Sequence, residues 1–244
     1  MMEFGLIGKK LSHSFSPNYF NEKFNLLSIK ANYSAFEIDN AGEILNLLKL
    51  HPQLKGLNVT IPFKQEIIPF LDIIHPIAKE IGAVNTIKIT NINGKYLLEG
   101  FNTDYYGFSK ALASYDFGFK KALVLGSGGA SKAIIYTLKL WGIEYEVVSS
   151  SGNGNLNYNQ LNENNFSKFD LIINTTPLGM YPNVETFPPI PYQLAHENQL
   201  FFDTIYNPEK TQFMKKAIEN GAMAVNGLKM LICQAEESWE IWNA

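Results

Sequence analysis

The stretch KALVLGSGGASKAIIYTLKLWGIEYEVVS, Lys121 to Ser149, constrains the fold more than any other part of this sequence. It reads as an apolar strand, a glycine loop, a helix closed by Gly142 and a second strand, which together make a βαβ unit and imply a parallel sheet. Gly126, Gly128 and the small Ser131 match the pattern G-x-G-x-x-(small) in the strand–helix context that gives it meaning. Gly126 permits a tight turn and Gly128 permits close approach of a pyrophosphate. The helix N-terminus, with Gly129 and Ala130, supplies N–H donors. Ser131 is small enough to keep helix and strand packed. A glycine-rich turn without a ligand is the bland alternative, and the flanking elements favour dinucleotide binding over it.

Strand and helix alternate on both sides of this unit. EFGLIG, YSAFEI and LKGLNVT read as strands. A helix capped at Ser16-Pro17 is expected to run to about Leu27, and AGEILNLLKL has helical spacing. Further helices are expected from Pro62 and from Pro76. AVNTIKIT and KYLLEGF flank Asn93-Gly94, a hairpin signal. YYGFSKALASY after Asp104 reads as a helix bridging to the second unit. Downstream come an Asn/Gly/Ser-rich loop from Ser149 to Asn165, the strands in FDLIINTTPLGM and LFFDTIYNP, a helix from Glu209 to Asn220 and a long final helix carrying Gln234. The pattern predicts an α/β protein of two domains with mostly parallel sheets.

Composition excludes several function classes. Twenty basic against 23 acidic residues give a net charge of −3, which leaves no surplus for a nucleic-acid backbone. No segment is long and apolar enough to cross a bilayer, and MMEFGLIGKK does not read as a signal peptide, so a soluble cytoplasmic protein is expected. The lone Cys233 cannot form an internal disulfide. No metal-ligand cluster is visible. All 20 basic residues are lysine, so any bound anion must be held by hydroxyls, amides, backbone N–H groups, helix N-termini or lysine.

The segment GLNVTIPFK, Gly56 to Lys64, poses a sharper question. Read as the first turn of a helix beginning at Pro62, Lys64 sits against the positive end of the helix dipole, an unfavourable place for a cation. A solvated lysine is the ordinary reading; a lysine kept there for chemistry is the other. The whole chain resembles the shikimate dehydrogenase family, and the resemblance decides between them. The matching segments, in order, are SHSFSP (12–17), NVTIPFK (58–64), GAVNT (82–86), GFNTD (100–104), LGSGGAS (125–131), NTTPLGM (174–180), DTIYNP (203–208) and NGLKMLICQA (226–235).

The resemblance implies a substrate-binding domain formed by residues 1–103 and completed by the helix 226–244, with a Rossmann-like NADP-binding domain over 104–225. It implies reversible NADPH-dependent reduction of 3-dehydroshikimate to shikimate on the route to chorismate and the aromatic amino acids. Lys64 and Asp104 are then the catalytic pair, and Ser14 and Ser16 hold the substrate carboxylate. Thr60, Asn85 and Gln234 bind ring hydroxyls and the carbonyl region, and Tyr206 is a lesser candidate for substrate contact. Gly126, Gly128, Gly129, Ala130 and Ser131 line the pyrophosphate site, and Gly227 borders the nicotinamide. The chemistry is consistent with such a site, because hydride delivered to a ketone carbon leaves charge on oxygen and calls for a proton donor. Capping is the simpler role for Ser16 and Asp104, and buried, backbone-satisfied polar groups the simpler role for Thr60, Asn85 and Gln234. His13 is given no chemical role.

One departure bears on the cofactor. The family's usual pattern places an arginine after an asparagine at the end of the second strand of the βαβ unit, where it grips a 2′-phosphate. Here Ser149, Ser150 and Ser151 occupy the place. No Asp or Glu stands there to favour NAD either. NADP is expected, with NAD as a weaker alternative. A quinate/shikimate dehydrogenase and a non-catalytic dinucleotide-binding regulator are the rival readings. The small-molecule substrate is the expected partner of a monomer or homodimer, with no nucleic acid and no membrane.

Overall fold

A computed structural model describes residues 1–244 apart from His13, Asp116, Phe117, Ser151 and Asn153, so the readings of His13 and Ser151 lie outside the described residues. The chain divides into two units, Met1–Thr103 with Ala235–Ala244, and Asp104–Gln234.

The first unit contains β1 (Met2–Gly8), α1 (Phe15–Leu26), β2 (Ala31–Glu37), α2 (Ile44–Leu50), β3 (Leu54–Val59), β4 (Ile73–Ile74), α3 (Pro76–Ile81), β5 (Thr86–Ile92) and β6 (Lys95–Phe101). Its sheet has the order β2-β1-β3-β5-β6-β4. β1 pairs in parallel with β2 and β3, β5 runs antiparallel to both β3 and β6, and β4 is parallel to β6. The β5–β6 hairpin turns at Asn93 and Gly94, with φ of 54° and 85°, the left-handed pair that a tight hairpin requires. Alternation along β1 sends Ile7 into a core with α2 and Phe4 and Leu6 into a core with α1 and Trp242. Gly56 makes the second core possible, since a Cβ there would lie 2.3 Å from Trp242 Nε1, whose N–H donates to Ile87 O at 3.0 Å.

The second unit contains α4 (Asp104–Leu112), β7 (Lys121–Leu125), α5 (Gly129–Leu140), β8 (Glu144–Val148), β9 (Leu171–Asn174), β10 (Leu200–Asp203), α6 (Gln212–Glu219) and β11 (Met223–Val225). α7 (Leu228–Asn243) begins here and ends in the first unit. The sheet order is β11-β10-β9-β7-β8 and every pairing is parallel. Successive residues of β7 serve opposite cores: Leu123 and Leu125 pack with Phe213 and Met214 of α6, Ala122 and Val124 with Phe108 of α4 and Ile134 of α5. Both faces are covered, as a parallel sheet demands.

Three local expectations fail. No α-helix follows Pro62. Residues 61–67 form consecutive turns, with Phe63 and Ile67 buried on one side and Ile67 N–H donating to Phe63 O at 2.9 Å. That single helical turn does not propagate. The Lys64 carbonyl accepts instead from Val84 N–H at 2.7 Å, and Pro69 has no N–H to offer the carbonyl four residues back. Lys64 therefore does not sit against the positive end of an α-helix dipole. At α1 it is Ser14 that takes the N-cap position, with φ −73° and ψ 136°, while Ser16 lies inside the first turn beside Pro17. Proline is tolerated there because the first N–H groups of a helix have no intrahelical partner. Finally, α6 starts later than Glu209 because Thr211 caps it, its hydroxyl accepting from Met214 N–H.

Candidate active site

In the second unit the chain runs outward from β7 to β8 and then returns to β9 on the other side of β7. Open α/β sheets bind ligands at such a reversal, outside the carboxyl ends of the strands. Gly126 leaves β7 at that point with φ 109°, its N–H donating to Val148 O at 2.8 Å. An added Cβ would stand 2.6 Å from Thr175 Oγ1, so conformation and space both require glycine. Gly128 is the N-cap of α5, and nothing lies within 4 Å of where its Cβ would be. The first turn of α5 comprises Gly129, Ala130 and Ser131, whose N–H groups precede the first intrahelical bonds. Ser131 is buried and its hydroxyl donates to Gly128 O at 2.8 Å, which turns it away from capping. An open glycine at a helix N-terminus is a cradle that fits a pyrophosphate.

Beyond β8, Ser149 is buried and its hydroxyl lies 3.1 Å from that of Ser127, while Ser150 is exposed. At the other end of the crevice Gly227 N–H donates to Ile205 O at 2.9 Å. A Cβ on Gly227 would lie 2.2 Å from Thr204 O, so no larger residue fits beneath the half-buried Tyr206 segment.

A buried cluster that carried no assigned role holds these loops. Asp203, at the end of β10, accepts from Thr211 Oγ1 at 2.6 Å, from Asn174 Nδ2 at 3.0 Å and from Ile205 N–H at 3.0 Å. Asn174 Oδ1 in turn accepts from Thr176 N–H at 3.0 Å and Thr176 Oγ1 at 2.7 Å. Burial pushes the Asp203 carboxyl up to about 6, against the three hydrogen bonds that favour the anion. The segments NTTPLGM and DTIYNP were the sequence signal for this cluster, and their tertiary meeting was not legible in either one.

In the first unit, Ser14 stands half-buried at the start of α1 without capping it, and Ser16 is buried with its side chain hydrogen-bonded to Tyr33. Burial raises the Tyr33 phenol well above its ordinary range, and the Ser16 bond opposes this. Thr60 follows β3, its N–H donating to Ile7 O at 2.9 Å, and its methyl occupies the space a Cβ on Gly8 would need. Lys64 is half-buried in the turns beyond it. Asn85 is buried: its Nδ2 donates to Thr103 Oγ1 at 3.0 Å and its Oδ1 accepts from Thr103 N–H at 2.6 Å.

Asp104 and Gln234 are the first and last residues of the second unit. Asp104 is buried and opens α4, where a carboxylate complements the positive end of the helix dipole, and it is the first helical residue rather than the residue before it. Gln234 is buried in α7, its Nε2 donating to Leu231 O at 3.0 Å. Among the described residues no cluster of His, Cys, Asp and Glu is arranged to hold a metal ion, and no helix is long and apolar enough to cross a membrane.

Comparison with known proteins supplies independent observations. The family model described as the shikimate dehydrogenase substrate binding domain matches residues 6–87. The chain is 41% identical over 254 residues to a shikimate dehydrogenase (NADP(+)) of Clostridium beijerinckii, covering 99% of this chain and 92% of that protein. Among solved structures it resembles shikimate dehydrogenase 1 from Peptoclostridium difficile, with a TM-score of 0.86, 39% identity, and coverage of 100% of this chain and 92% of that one. It also resembles shikimate 5-dehydrogenase from Thermus thermophilus in complex with NADP(H) and shikimate, with a TM-score of 0.85, 28% identity, and coverage of 99% of this chain and 93% of that one.

Proposed function

The chain belongs to the shikimate dehydrogenase family, and we propose that it catalyses the reversible NADPH-dependent reduction of 3-dehydroshikimate to shikimate with Lys64 and Asp104 as its catalytic pair. The observation that carries this reading is the full-length match to NADP-dependent relatives, joined to a glycine cradle at the switch point of an all-parallel sheet.

The cradle formed by Gly126, Gly128, Gly129, Ala130 and Ser131 holds the pyrophosphate on the N-terminus of α5. Gly227, held to glycine because the Thr204 backbone fills the place of a Cβ, borders the nicotinamide. When bound, NADPH supplies the hydride that reduces the carbonyl carbon. Ser14 and Ser16 hold the substrate carboxylate at the start of α1. Thr60, Asn85 and Gln234 hold ring hydroxyls and the carbonyl region, and Tyr206 contacts the substrate from the loop after β10. Lys64 gives its proton to the carbonyl oxygen as negative charge develops there, and takes it back in the reverse direction. Asp104 accepts a hydrogen bond from a ring hydroxyl.

NADP is the cofactor, and the serines after β8 set how strongly it is preferred. Ser149 spends a hydrogen bond on Ser127, which leaves exposed Ser150 as the described serine best placed to meet a 2′-phosphate. Hydroxyls bind phosphate less firmly than a guanidinium, so discrimination against NAD is weak. Turnover of the purified protein with shikimate and quinate, each with NADP and NAD, tests the assignment. Shikimate with NADP is expected to be the best pair, and quinate turnover equal to that with shikimate would overturn it.

A further inference from the structure

A network of buried polar groups runs through the first unit, and most of its members, Ser238 at its centre among them, have no part in the roles assigned above. Ser238 is fully buried on α7. Its Oγ accepts from Asn58 Nδ2 at 2.9 Å and lies 2.8 Å from Thr86 Oγ1 and 3.2 Å from Thr103 Oγ1. Thr86 and Thr103 are themselves 3.2 Å apart, so the three hydroxyls close a triangle. Thr103 then grips both ends of the Asn85 amide, through its own N–H and its hydroxyl. On the other side, Asn58 Oδ1 accepts from the Tyr33 hydroxyl at 2.8 Å, and Tyr33 contacts Ser16. Hydrogen bonds therefore connect Ser16 with Asn85 across the sheet, and the final helix contributes the hydroxyl on which the middle of the path converges.

We propose that Ser238 is a positioning residue for shikimate, fixing the rotamers of Thr86 and Thr103 and through them the orientation of the Asn85 amide. Three features support this. A hydroxyl has one proton and two lone pairs, so the direction of each bond in the triangle depends on the other two members. Asn58 Nδ2 approaches Ser238 more closely than its other acceptors, Thr86 Oγ1 at 3.2 Å and Asn85 O at 3.3 Å. Replacing one member by an apolar side chain in so enclosed a place leaves its partners to rotate toward new acceptors, and the Thr103 side chain cannot rotate without releasing Asn85 Nδ2, which leaves Thr103 holding the amide only through Oδ1. The device also explains why a helix at the far end of the sequence returns to the first unit with a serine facing the sheet.

The inference rests on Asn85 being a substrate ligand, and the experiment separates the two ideas. Steady-state kinetics are measured for Ser238→Ala, Thr86→Val and Asn85→Ala, with KM determined for both shikimate and NADP. Expected for Ser238→Ala and Thr86→Val is a rise in the KM for shikimate on the order of tenfold, with the KM for NADP unchanged. Asn85→Ala is expected to raise the same constant at least as much, and Ser238→Ala in the Asn85→Ala background to add little further. If Asn85→Ala raises the KM for shikimate while Ser238→Ala and Thr86→Val leave it alone, or lower only kcat and the melting temperature, the positioning role is overturned and the ligand role of Asn85 stands. If Asn85→Ala itself has no effect, both fall. Should Ser238→Ala fail to fold, Thr86→Val, which keeps the side-chain volume, decides alone.

Discussion

Two junctions in this molecule look alike in sequence and fold differently. Each follows a buried strand, β3 or β7, and each is followed by apolar residues at helical spacing. After β7 a helix forms, Gly129–Leu140, and its N-terminus, capped by Gly128, is the proposed cofactor cradle. After β3 a single α-turn joins Phe63 to Ile67, and the chain tightens into one 3-10 turn, Ile68–Phe70, before it extends at Leu71. The difference lies in where backbone groups find partners. No proline interrupts the segment that becomes α5, and its carbonyls accept from N–H groups within the helix. The segment after β3 carries Pro62 and Pro69, and its Lys64 carbonyl is claimed by Val84. One junction therefore ends in a helix N-terminus with a row of N–H groups, whereas the other ends in a turn tied at Lys64 O to Val84, ahead of β5.

The largest effect is expected at the turn after β3, where the proposed function puts the proton donor. Lys64→Ala should lower kcat by about 10²–10⁴-fold, the range associated with losing a positioned proton donor, while shikimate affinity changes by a modest factor. Steady-state kinetics with direct shikimate titration check this, and near-normal turnover would make the turn a structural device only.

At the other junction the glycine is the weak point. Gly126→Ala forces a Cβ into left-handed backbone 2.6 Å from Thr175 Oγ1, at a cost of roughly 1–3 kcal/mol if the backbone holds. Chemical denaturation should show that loss, and NADP binding should weaken along with it, because the turn sets the height of the cradle. An alanine variant with unchanged stability would mean that the loop gives way easily and is less determined than its counterpart after β3.

A third test addresses the buried cluster behind the crevice. The folded protein binds the Asp203 proton more tightly than the unfolded chain, since burial raises that carboxyl from 3.8 to about 6. The stabilisation from protonation is fully present below the unfolded value of about 4 and is lost as the pH rises through about 6. Asp203→Asn should flatten this part of the stability profile. Denaturant melts between pH 4 and 7 would reveal a slope in the parent protein and its reduction in the variant.

The smallest effect is expected at the end of β8. Ser150→Arg should sharpen the preference for NADP over NAD by about tenfold, through a bidentate contact with the 2′-phosphate. The ratio of kcat/KM for the two cofactors measures it. An unchanged ratio would place the 2′-phosphate away from Ser150.

Sequence by itself determined the alternation of strands and helices, the hairpin at Asn93-Gly94 and the glycine cradle, because each depends on neighbours a few residues apart. An amphipathic period, a left-handed turn and a helix N-terminus are local properties and leave local signatures. The conformation around Lys64 was settled by tertiary contact, since its carbonyl accepts from the N–H of Val84, in the segment that leads into β5. The same holds for the meeting of Asn174, Asp203 and Thr211, and for the place of Ser238 among Asn58, Thr86 and Thr103. A buried polar group must find a partner, but its sequence context does not say which one, and that choice is made only when the sheets and helices come together.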